Sequence, residues 1–204
     1  MHNNVTICIT GGIGSGKSVV SRLLRCNGLP VFDCDFEAKL LMTRNPEVKK
    51  ALTNSLGRDI YFEDGSLDRK KLAGMLFSDP EVRKIVNEIV HTGVRKEISE
   101  CRHRISGTFF IETAIPATGG IASHCDKIWL VEAPLEERLK RVAKRDGLSE
   151  SEIKKRIEVQ DKEFSSLDGA KTIILENSGN NPLLCEILGL IDKNIITQTY
   201  NILC

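Results

Sequence analysis

The sequence feature that most constrains the fold is the glycine-rich segment Gly11–Ser18, which reads Gly-Gly-Ile-Gly-Ser-Gly-Lys-Ser. It directly follows Val5–Ile9, an apolar and largely β-branched run that is typical of a buried strand. An amphipathic run with the spacing of a helix comes directly after it. A strand that enters a helix through Gly-x-x-x-x-Gly-Lys-Ser/Thr binds the phosphates of a nucleotide. We therefore predict an α/β chain with a nucleoside triphosphate site at the end of its first strand.

The residue types in this segment suit a polyphosphate ligand. Glycine at Gly11, Gly14 and Gly16 lets the backbone wrap a phosphate with its own N–H groups, which a Cβ would obstruct. Lys17 places a positive charge on the β and γ phosphates, and the Ser18 hydroxyl can ligate the accompanying Mg²⁺. The helix that begins here adds its unpaired N–H groups and the positive end of its dipole. The residues predicted to contact the nucleotide are Gly12, Ile13, Gly14, Ser15, Gly16, Lys17, Ser18 and Val19.

Three other interpretations of the glycine-rich segment fit less well. A solvated glycine-rich turn accounts for neither the preceding strand nor the amphipathic run that follows. A dinucleotide-binding Gly-x-Gly-x-x-Gly pattern fails because Gly12 and Gly14 would require glycine at position 17, where the chain has lysine. A GTP-driven switch needs Asn-Lys-x-Asp and Asp-x-x-Gly motifs, and the sequence contains neither. These comparisons favour a triphosphate-binding enzyme.

Composition narrows the class of protein further. The chain has 204 residues, which is enough for one well-buried core. Its 29 basic and 28 acidic residues nearly balance, so we expect no nucleic-acid partner and no attraction to an acidic membrane surface. We expect no membrane-spanning or signal segment, because no apolar stretch approaches the required length. The seven cysteines include no Cys-x-x-Cys pair, which disfavours a zinc or disulfide framework and favours the reducing cytoplasm.

Apolar runs alternate with helical patterns along the rest of the chain. Strands are predicted at 5–9, 29–32, 108–112, 126–132 and 172–175. New helices are predicted to begin at Pro46 and Pro80, with helical patterns at 82–98, 134–145, 149–164 and from about 181. This alternation predicts a doubly wound parallel sheet, in which ligands gather at the carboxyl ends of the strands. The phosphate loop, Asp33, Asp35 and Glu112 follow such ends, so we expect them to converge.

Three carboxylates are candidates for catalysis or metal binding. Asp33 and Asp35 are two residues apart, so on an extended strand end they would point in the same direction beside the loop. One could orient or deprotonate an acceptor hydroxyl while the other contacts the Mg²⁺ shell or holds lysine. In the alternative interpretation, either aspartate caps a helix that begins near Phe36. Glu112 ends an apolar run and is similar to acids that bind Mg²⁺ through water, or it is an exposed strand-end glutamate.

Three arginines are candidates for a phosphate clamp. Arg138, Arg141 and Arg145 are spaced by three and four residues, so they share one face of a helix. If this helix belongs to a lid, its arginines would hold the phosphates and exclude water, which prevents wasteful hydrolysis. The alternative is ordinary surface stabilisation through i,i+4 pairs such as that of Arg141 with Glu137. His91, near the polar edge of the long helix, is likewise either a contact to a substrate phosphate or simply a packed or surface residue.

A set of short motifs follows the loop in a fixed order. The whole set is Thr10–Ser18, Asp33 with Asp35, Gly65–Leu72, Phe77–Pro80, His91, Arg141 with Arg145–Gly147, Arg156 with Gln160, and Asn177–Gly179. In this order the motifs resemble the dephospho-CoA kinase family, over about residues 5–180. The chain departs from the family pattern at Val19, Thr92 and Thr172, and at 114–118, where Ala-Ile-Pro-Ala-Thr replaces Pro-Leu-Leu-Phe-Glu.

The resemblance implies a reaction in which Mg·ATP phosphorylates the ribose 3′-hydroxyl of dephospho-CoA, the last step of coenzyme A biosynthesis. It also implies a P-loop NTPase three-layer α/β fold with a central parallel sheet, a helical acceptor-binding insertion and a short helical lid. We expect a single kinase domain over 1–204, with its core at about 1–61 and 106–204, the insertion at about 62–105 and the lid at about 138–160. The alternative is another small-molecule kinase of the same architecture, acting on a nucleoside monophosphate or a hydroxy-acid.

The resemblance also implies roles for individual residues. It makes Asp35 the base at the acceptor hydroxyl with Asp33 beside it, and it gives Lys17 and Arg141 catalytic roles. The implied nucleotide contacts beyond the loop are Arg145 and, near the adenine, Asn177. The implied acceptor contacts are Asp35, Arg69, Leu72 and His91, and the implied metal ligand is Ser18. We expect ATP, Mg²⁺ and dephospho-CoA as ligands, no nucleic-acid or membrane partner, and a cytoplasmic monomer or weak homo-oligomer.

Overall fold

The computed structural model describes residues 4–179 and 183–194, which form five strands and eight α-helices. The strands are β1 (Val5–Thr10), β2 (Val31–Asp33), β3 (Thr108–Glu112), β4 (Lys127–Glu132) and β5 (Thr172–Glu176). The helices are α1 (Lys17–Cys26), α2 (Cys34–Arg44), α3 (Pro46–Leu56), α4 (Arg69–Ser78), α5 (Pro80–Arg104), α6 (Leu135–Asp146), α7 (Glu150–Asp161) and α8 (Leu183–Asn194). The predicted order of strands and helices along the chain is confirmed. The start of the last predicted helix, at 181–182, lies outside the described residues. Among the described residues, no helix has the length and apolar character needed to cross a membrane.

All five strands pair in parallel, in the order β2-β3-β1-β4-β5. Strand β3 is buried at every position, as expected for an interior strand that is covered on both faces. Strand β1 lies between β3 and β4, so the glycine-rich loop that follows it lies near the middle of the carboxyl edge of the sheet. The predicted parallel α/β fold is therefore confirmed.

The core of the sheet-containing part lies between the sheet and helices α1 and α8. The rings of Phe110 and Trp129, on β3 and β4, have their centroids 5.3 Å apart. Leu24 of α1 and Ile187 of α8 are fully buried in the same apolar cluster. Burying a side chain of this size contributes about 1.5–3 kcal/mol relative to leaving it exposed. This packing holds α1 on the sheet and thereby keeps the helix N-terminus next to the end of β1.

The chain divides into two compact units, Met1–Asp33 with Arg102–Cys204, and Cys34–Cys101. The first unit contains the sheet and helices α1, α6, α7 and α8, and the second contains α2, α3, α4 and most of α5. Within the second unit, an ideal Cβ on Gly93 of α5 would lie 3.1 Å from Val48 and 3.2 Å from Leu41. Glycine at this position therefore lets α5 pack closely on α2 and α3.

The start of α2 differs from the sequence prediction. The helix begins at Cys34, directly after β2, and not near Phe36. Cys34 and Leu41 are both buried, and their spacing of seven residues places them on one face of a helix. Asp35 lies inside the first turn of α2, because the helix already begins at Cys34. Two expectations for Asp35 are wrong as a result, since it neither extends from a strand end alongside Asp33 nor caps the helix.

Candidate active site

The loop that connects β1 to α1 adopts backbone conformations that favour glycine. Gly14 and Gly16 have φ angles of 78° and 110°, in the left-handed region. An ideal Cβ on Gly14 would lie 2.7 Å from the carbonyl oxygen of Arg138, and one on Gly16 would overlap the side-chain amide of Asn177. The prediction that glycine is required at these two positions is confirmed, both by the φ angles and by the close neighbours.

The loop presents hydrogen-bond donors to an anion. The N-terminus of α1 has no side-chain cap. Within residues 4–179 and 183–194, the amide nitrogens of Gly14, Gly16 and Ser18 have no hydrogen-bond acceptor. Lys17 Nζ donates to the Gly11 carbonyl at 2.6 Å, so the ammonium charge lies against the loop. Amide donors, a lysine charge and the positive end of a helix together make this an anion-binding site.

A serine and a glutamate meet beside the loop. Ser18 Oγ donates to Glu112 Oε1 at 3.3 Å. Glu112 is only 8% exposed, so the interpretation of this residue as an exposed strand-end glutamate is wrong. Asp33 is the register partner of Glu112 across β2 and β3. The loop, Asp33 and Glu112 therefore converge at the carboxyl edge of the sheet, as the strand pattern predicts.

The Ser18 and Glu112 oxygens fit the requirements of Mg²⁺. This ion prefers hard oxygen ligands, keeps several water molecules, and usually binds through one or two carboxylates together with substrate phosphates. The pair supplies one hydroxyl and one carboxylate within hydrogen-bond distance of each other, next to the α1 N-terminus. An ion that arrives with a nucleotide would find both oxygen ligands already in place.

Arg138 of α6 lies directly against the loop. Its Nε donates to the Ile13 carbonyl at 2.9 Å. Its Nη2 is buried beside Gly12 and has no hydrogen-bond partner among the described residues. Burial lowers the pKa of the guanidinium, while the charges of Asp161 and Glu132 act in the opposite direction. Because an unsatisfied buried donor is costly, a phosphate oxygen in the loop would be a favourable partner for Nη2.

Arg141, on the same face of α6, also contacts the loop. Its Nη1 lies 3.4 Å from the carbonyl oxygens of both Gly14 and Ser15. Glu137 forms its ion pair with Lys140. The interpretation of Arg141 as the surface partner of Glu137 is therefore wrong, since this side of α6 lies on the phosphate loop.

The two other predicted nucleotide contacts differ in their surroundings. Arg145 is exposed and pairs with Asp146 at 2.7 and 2.8 Å, and this pairing lowers the pKa of the Asp146 carboxyl. Asn177, directly after β5, donates through Nδ2 to the Ser15 carbonyl at 2.7 Å and through its backbone N–H to the Glu132 carbonyl at 2.7 Å. Asn177 thus holds the loop through a side-chain hydrogen bond, whereas the Arg145 guanidinium forms an ion pair with Asp146.

Two of the predicted acceptor residues share a groove in the second compact unit. The groove has a volume of about 180 Å³, and its lining is almost entirely apolar. The lining residues are Lys39, Met42, Thr43, Leu67, Arg69, Leu72, Ala73 and Leu76. Arg69 and Leu72 are therefore brought together, and Lys39 adds a second cationic side chain. His91 lies on α5 and is not one of the residues that line this groove.

Comparison with known proteins identifies the family. The family model described as dephospho-CoA kinase matches residues 5–182, which is most of the chain. The chain belongs to the dephospho-CoA kinase family. A dephospho-CoA kinase from Porphyromonas gingivalis is 39% identical over 189 residues, which cover 92% of this chain and 93% of that protein. The family resemblance seen in the ordered motifs is confirmed.

Solved structures support the fold. The crystal structure of TT1252 from Thermus thermophilus has a TM-score of 0.75 at 34% identity, covering 93% of this chain and 97% of that one. A shikimate kinase from Acinetobacter baumannii, solved with shikimate, has a TM-score of 0.51 at 14% identity, covering 97% of this chain and 96% of that one. This second likeness concerns the fold alone. The predicted P-loop NTPase fold of this dephospho-CoA kinase family member is confirmed.

Of the residues that contact the loop, Arg138 was predicted only as one of three candidate clamp arginines, and Gln160 received no role from the sequence. Arg138 shares a helix face with Arg141, and this spacing of three residues was the available signal. Gln160 lies in a family motif, and its Oε1 accepts from the Ile13 N–H at 2.6 Å. Ile13 and Gln160 are 147 residues apart, so no local pattern could have indicated this contact.

Proposed function

We propose that this chain transfers the γ-phosphoryl group of ATP to the ribose 3′-hydroxyl of dephospho-CoA, which yields coenzyme A and ADP. The observation that carries this function is the match to the dephospho-CoA kinase family across residues 5–182. The anion site formed by the loop and Lys17 supports it, because phosphoryl transfer depends mainly on positioning and on charge stabilisation.

The transfer forms one bond and breaks another. The 3′-oxygen of the acceptor bonds to the γ-phosphorus, and the bond from that phosphorus to the β–γ bridging oxygen breaks. The hydroxyl proton passes to Asp35, to which the family motif assigns this role, with Asp33 assisting. Asp35 supports this assignment by being exposed in the first turn of α2, where a substrate can reach its carboxylate. Asp33 is paired in register with Glu112, which favours a role close to the metal ligands.

The loop and the arginine face of α6 are proposed to hold the triphosphate. Lys17 and Arg141 neutralise charge on the β and γ phosphates, and Arg138 uses its unpartnered Nη2 on the same anion. The other proposed nucleotide contacts are Gly12, Ile13, Gly14, Ser15, Gly16, Ser18, Val19, Arg145 and Asn177. Because these groups are held in place before the reaction, they stabilise the developing charge without reorganisation.

Mg²⁺ is proposed as the accompanying cation, held by the Ser18 hydroxyl together with Glu112. When bound, the ion neutralises phosphate charge and orients the reacting groups. The position of the Ser18 and Glu112 oxygens 3.3 Å apart supports this assignment. The two side chains also hold each other in place, because the buried carboxylate accepts a hydrogen bond from the hydroxyl.

The acceptor is proposed to bind through Arg69, Leu72 and His91, in the helical insertion at about 62–105. The lining of this groove is almost entirely apolar, and two of the residues that contribute to it, Arg69 and Lys39, carry cationic end groups. Dephospho-CoA carries an aliphatic chain next to a diphosphate, so these two kinds of surface are complementary to it. His91 would supply a further contact to an acceptor phosphate.

We further propose that the protein works as a cytoplasmic monomer or weak homo-oligomer, without a nucleic-acid or membrane partner. The near balance of 29 basic and 28 acidic residues supports the absence of a strongly charged partner. Light scattering after size-exclusion chromatography gives the oligomeric state directly.

The direct test is a coupled assay of ADP release with and without dephospho-CoA. We expect release from Mg·ATP to depend on this acceptor, and mass spectrometry to find a phosphate on the ribose 3′-oxygen of the product. Nucleoside monophosphates and hydroxy-acids such as shikimate serve as competing acceptors, because other kinases of this fold use them. Faster ADP release with one of these compounds than with dephospho-CoA would contradict the proposal.

Arg69→Ala is expected to raise KM for dephospho-CoA about tenfold through the loss of a charged contact, with KM for ATP unchanged. The physical reason is that Arg69 lines the groove of the second unit, whereas the nucleotide contacts lie on the loop and α6. Steady-state kinetics with each substrate varied in turn measure both constants. Lys70→Ala, at the exposed neighbouring position of α4, is the matched control. An unchanged KM for dephospho-CoA in Arg69→Ala would remove this residue from the acceptor site.

A further inference from the structure

Ile13, in the phosphate loop, is held by both α6 and α7. Its carbonyl accepts from Arg138 Nε at 2.9 Å, and its N–H donates to Gln160 Oε1 at 2.6 Å. Its side chain packs against the apolar cluster that joins the two helices, formed by Val142, Ile153 and Ile157. The two helices therefore bind both backbone polar groups and the side chain of this one loop residue.

Gln160 can accept from Ile13 only if its amide has the correct orientation. A glutamine amide carries an acceptor oxygen at one side and a donor nitrogen at the other. Gln160 Nε2 donates to the Ala114 carbonyl at 3.1 Å. Since a carbonyl can only accept and the Ile13 N–H can only donate, these two partners together select one orientation. A flipped amide would oppose donor to donor and acceptor to acceptor.

The Ala114 carbonyl belongs to a segment that is anchored by β1 at its start. Thr113 is buried, and its N–H donates to the Ile9 carbonyl at 3.0 Å. Its own carbonyl accepts from the Thr10 hydroxyl at 2.9 Å. Thr113 also directly follows Glu112, the proposed partner of Ser18 at the metal. The segment thus begins at a residue that is held firmly beside the phosphate site.

Glu163, two residues beyond the end of α7, anchors the other end of the segment. Its carboxylate accepts from the N–H groups of Ala117 at 3.1 Å and Thr118 at 2.9 Å. The Thr118 hydroxyl donates to the same carboxylate. Three donors on Ala117 and Thr118 thus converge on one carboxylate and hold this end of the segment.

We propose that Gln160 is a positioning residue for phosphoryl transfer, and that Glu163 holds the Ala114 carbonyl against which Gln160 is oriented. Through the Ile13 peptide, the two side chains set the geometry of the loop toward the phosphates. The inference rests on the proposed kinase function. Misplacing groups that position a substrate by about 1 Å can cost roughly 10²-fold in rate, so a loosened Ile13 peptide has a measurable kinetic effect.

Two substitutions of Gln160 separate its two hydrogen bonds. Gln160→Leu removes both bonds. Gln160→Glu keeps an acceptor for the Ile13 N–H but places its second oxygen against the Ala114 carbonyl, which is repulsive. We expect both variants to accelerate hydrogen exchange of the Ile13 amide by about tenfold or more, because opening of the loop becomes easier. We also expect kcat to fall by about 10- to 100-fold, with KM for dephospho-CoA unchanged.

Substitutions of Glu163 test the second half of the proposal. Glu163→Ala is expected to accelerate hydrogen exchange of the Ile13 amide and to lower kcat, as the Gln160 variants do. The effects should be smaller, since Gln160 keeps its own hydrogen-bond partners. Glu163→Gln retains one acceptor oxygen and should recover part of the loss. Glu158→Ala, at an exposed glutamate of α7, is the matched control and should match the wild type. Melting temperatures are recorded for every variant, and if Gln160→Leu is unfolded, the isosteric Gln160→Glu decides the test.

Two results would overturn the proposal. The first is unchanged Ile13 exchange in the Gln160 variants. The second is faster exchange together with wild-type kinetic constants, which would make the contact merely structural. Ile13 exchange is measured on the full chain without an acceptor, so it is independent of the identity of the substrate. If the wild type does not phosphorylate dephospho-CoA, the proposed function is wrong, and kcat of the variants is then read with the acceptor that the wild type does use.

Discussion

Asp35→Asn is expected to lower kcat by about 10²–10⁴-fold, the usual contribution of a positioned general base, while ATP binding persists. Asparagine has nearly the same shape as aspartate but cannot take up the proton of the acceptor hydroxyl. Because Asp35 is exposed in the first turn of α2, its replacement does not disturb a packed core. Steady-state kinetics with dephospho-CoA measure kcat, and titration calorimetry measures the affinity for ATP.

Two control variants make the Asp35 result specific. Asp33→Asn removes the neighbouring carboxylate, which is paired in register with Glu112, so we expect a smaller loss of kcat and a changed dependence on Mg²⁺. Glu63→Gln removes an exposed carboxylate from the same compact unit as Asp35 and should leave kcat unchanged. Wild-type turnover in Asp35→Asn, or a larger loss in Asp33→Asn, would contradict the assignment of the base.

Lys17→Ala is expected to weaken both ATP binding and turnover, with a loss in kcat of about 10²–10³-fold, which is typical of removing one preorganised donor. The Lys17 Nζ lies against the loop, 2.6 Å from the Gly11 carbonyl oxygen, so its charge is available where the β and γ phosphates are proposed to bind. In the alanine variant, no ammonium group opposes the negative charge of the phosphates in the transition state. The measurements are kcat, KM for ATP, and the dissociation constant of ATP.

A second substitution separates the contribution of the Lys17 side-chain geometry to activity from the contribution of its charge. Lys17→Arg keeps the charge but replaces a compact ammonium by a larger planar fork, so we expect it to restore little of the activity. Lys50→Ala, at an exposed position of α3, is the control for loss of a lysine elsewhere and should have wild-type kinetics. Unchanged kinetics in Lys17→Ala would mean that the loop is not the phosphate site.

The elements of this fold could be predicted because their signals are local. Prolines at 46 and 80 begin α3 and α5, and the apolar run at 108–112 is strand β3. Convergence of the loop, Asp33 and Glu112 could also be predicted, since the carboxyl ends of parallel strands meet at one edge of a sheet. The start of α2 could not, because Cys34 is compatible with a strand end, and no local signal indicates that it is buried on the same helix face as Leu41.

The surroundings of individual site residues were harder to predict. Sequence spacing placed Arg138, Arg141 and Arg145 on one helix face, but only the first two contact the loop, whereas Arg145 pairs with Asp146. Glu112 had two competing interpretations, and its burial and its contact with Ser18 decide between them. For Arg138, Arg141 and Glu112 the deciding contact is with a residue distant in the sequence, whereas Arg145 pairs with its immediate neighbour Asp146.

The sequence by itself determined the chemistry of the phosphate loop, the order of strands and helices, and membership of the dephospho-CoA kinase family, since each of these depends on short motifs and local periodicity. Only the tertiary structure decided which side chains meet around the loop. Ser18 and Glu112 are 94 residues apart, and Ile13 and Gln160 are 147 apart. Their hydrogen bonds exist because the sheet order places β3 beside β1 and because α6 and α7 pack on the loop. Such contacts depend on strand order and helix packing, which local patterns along a chain do not specify.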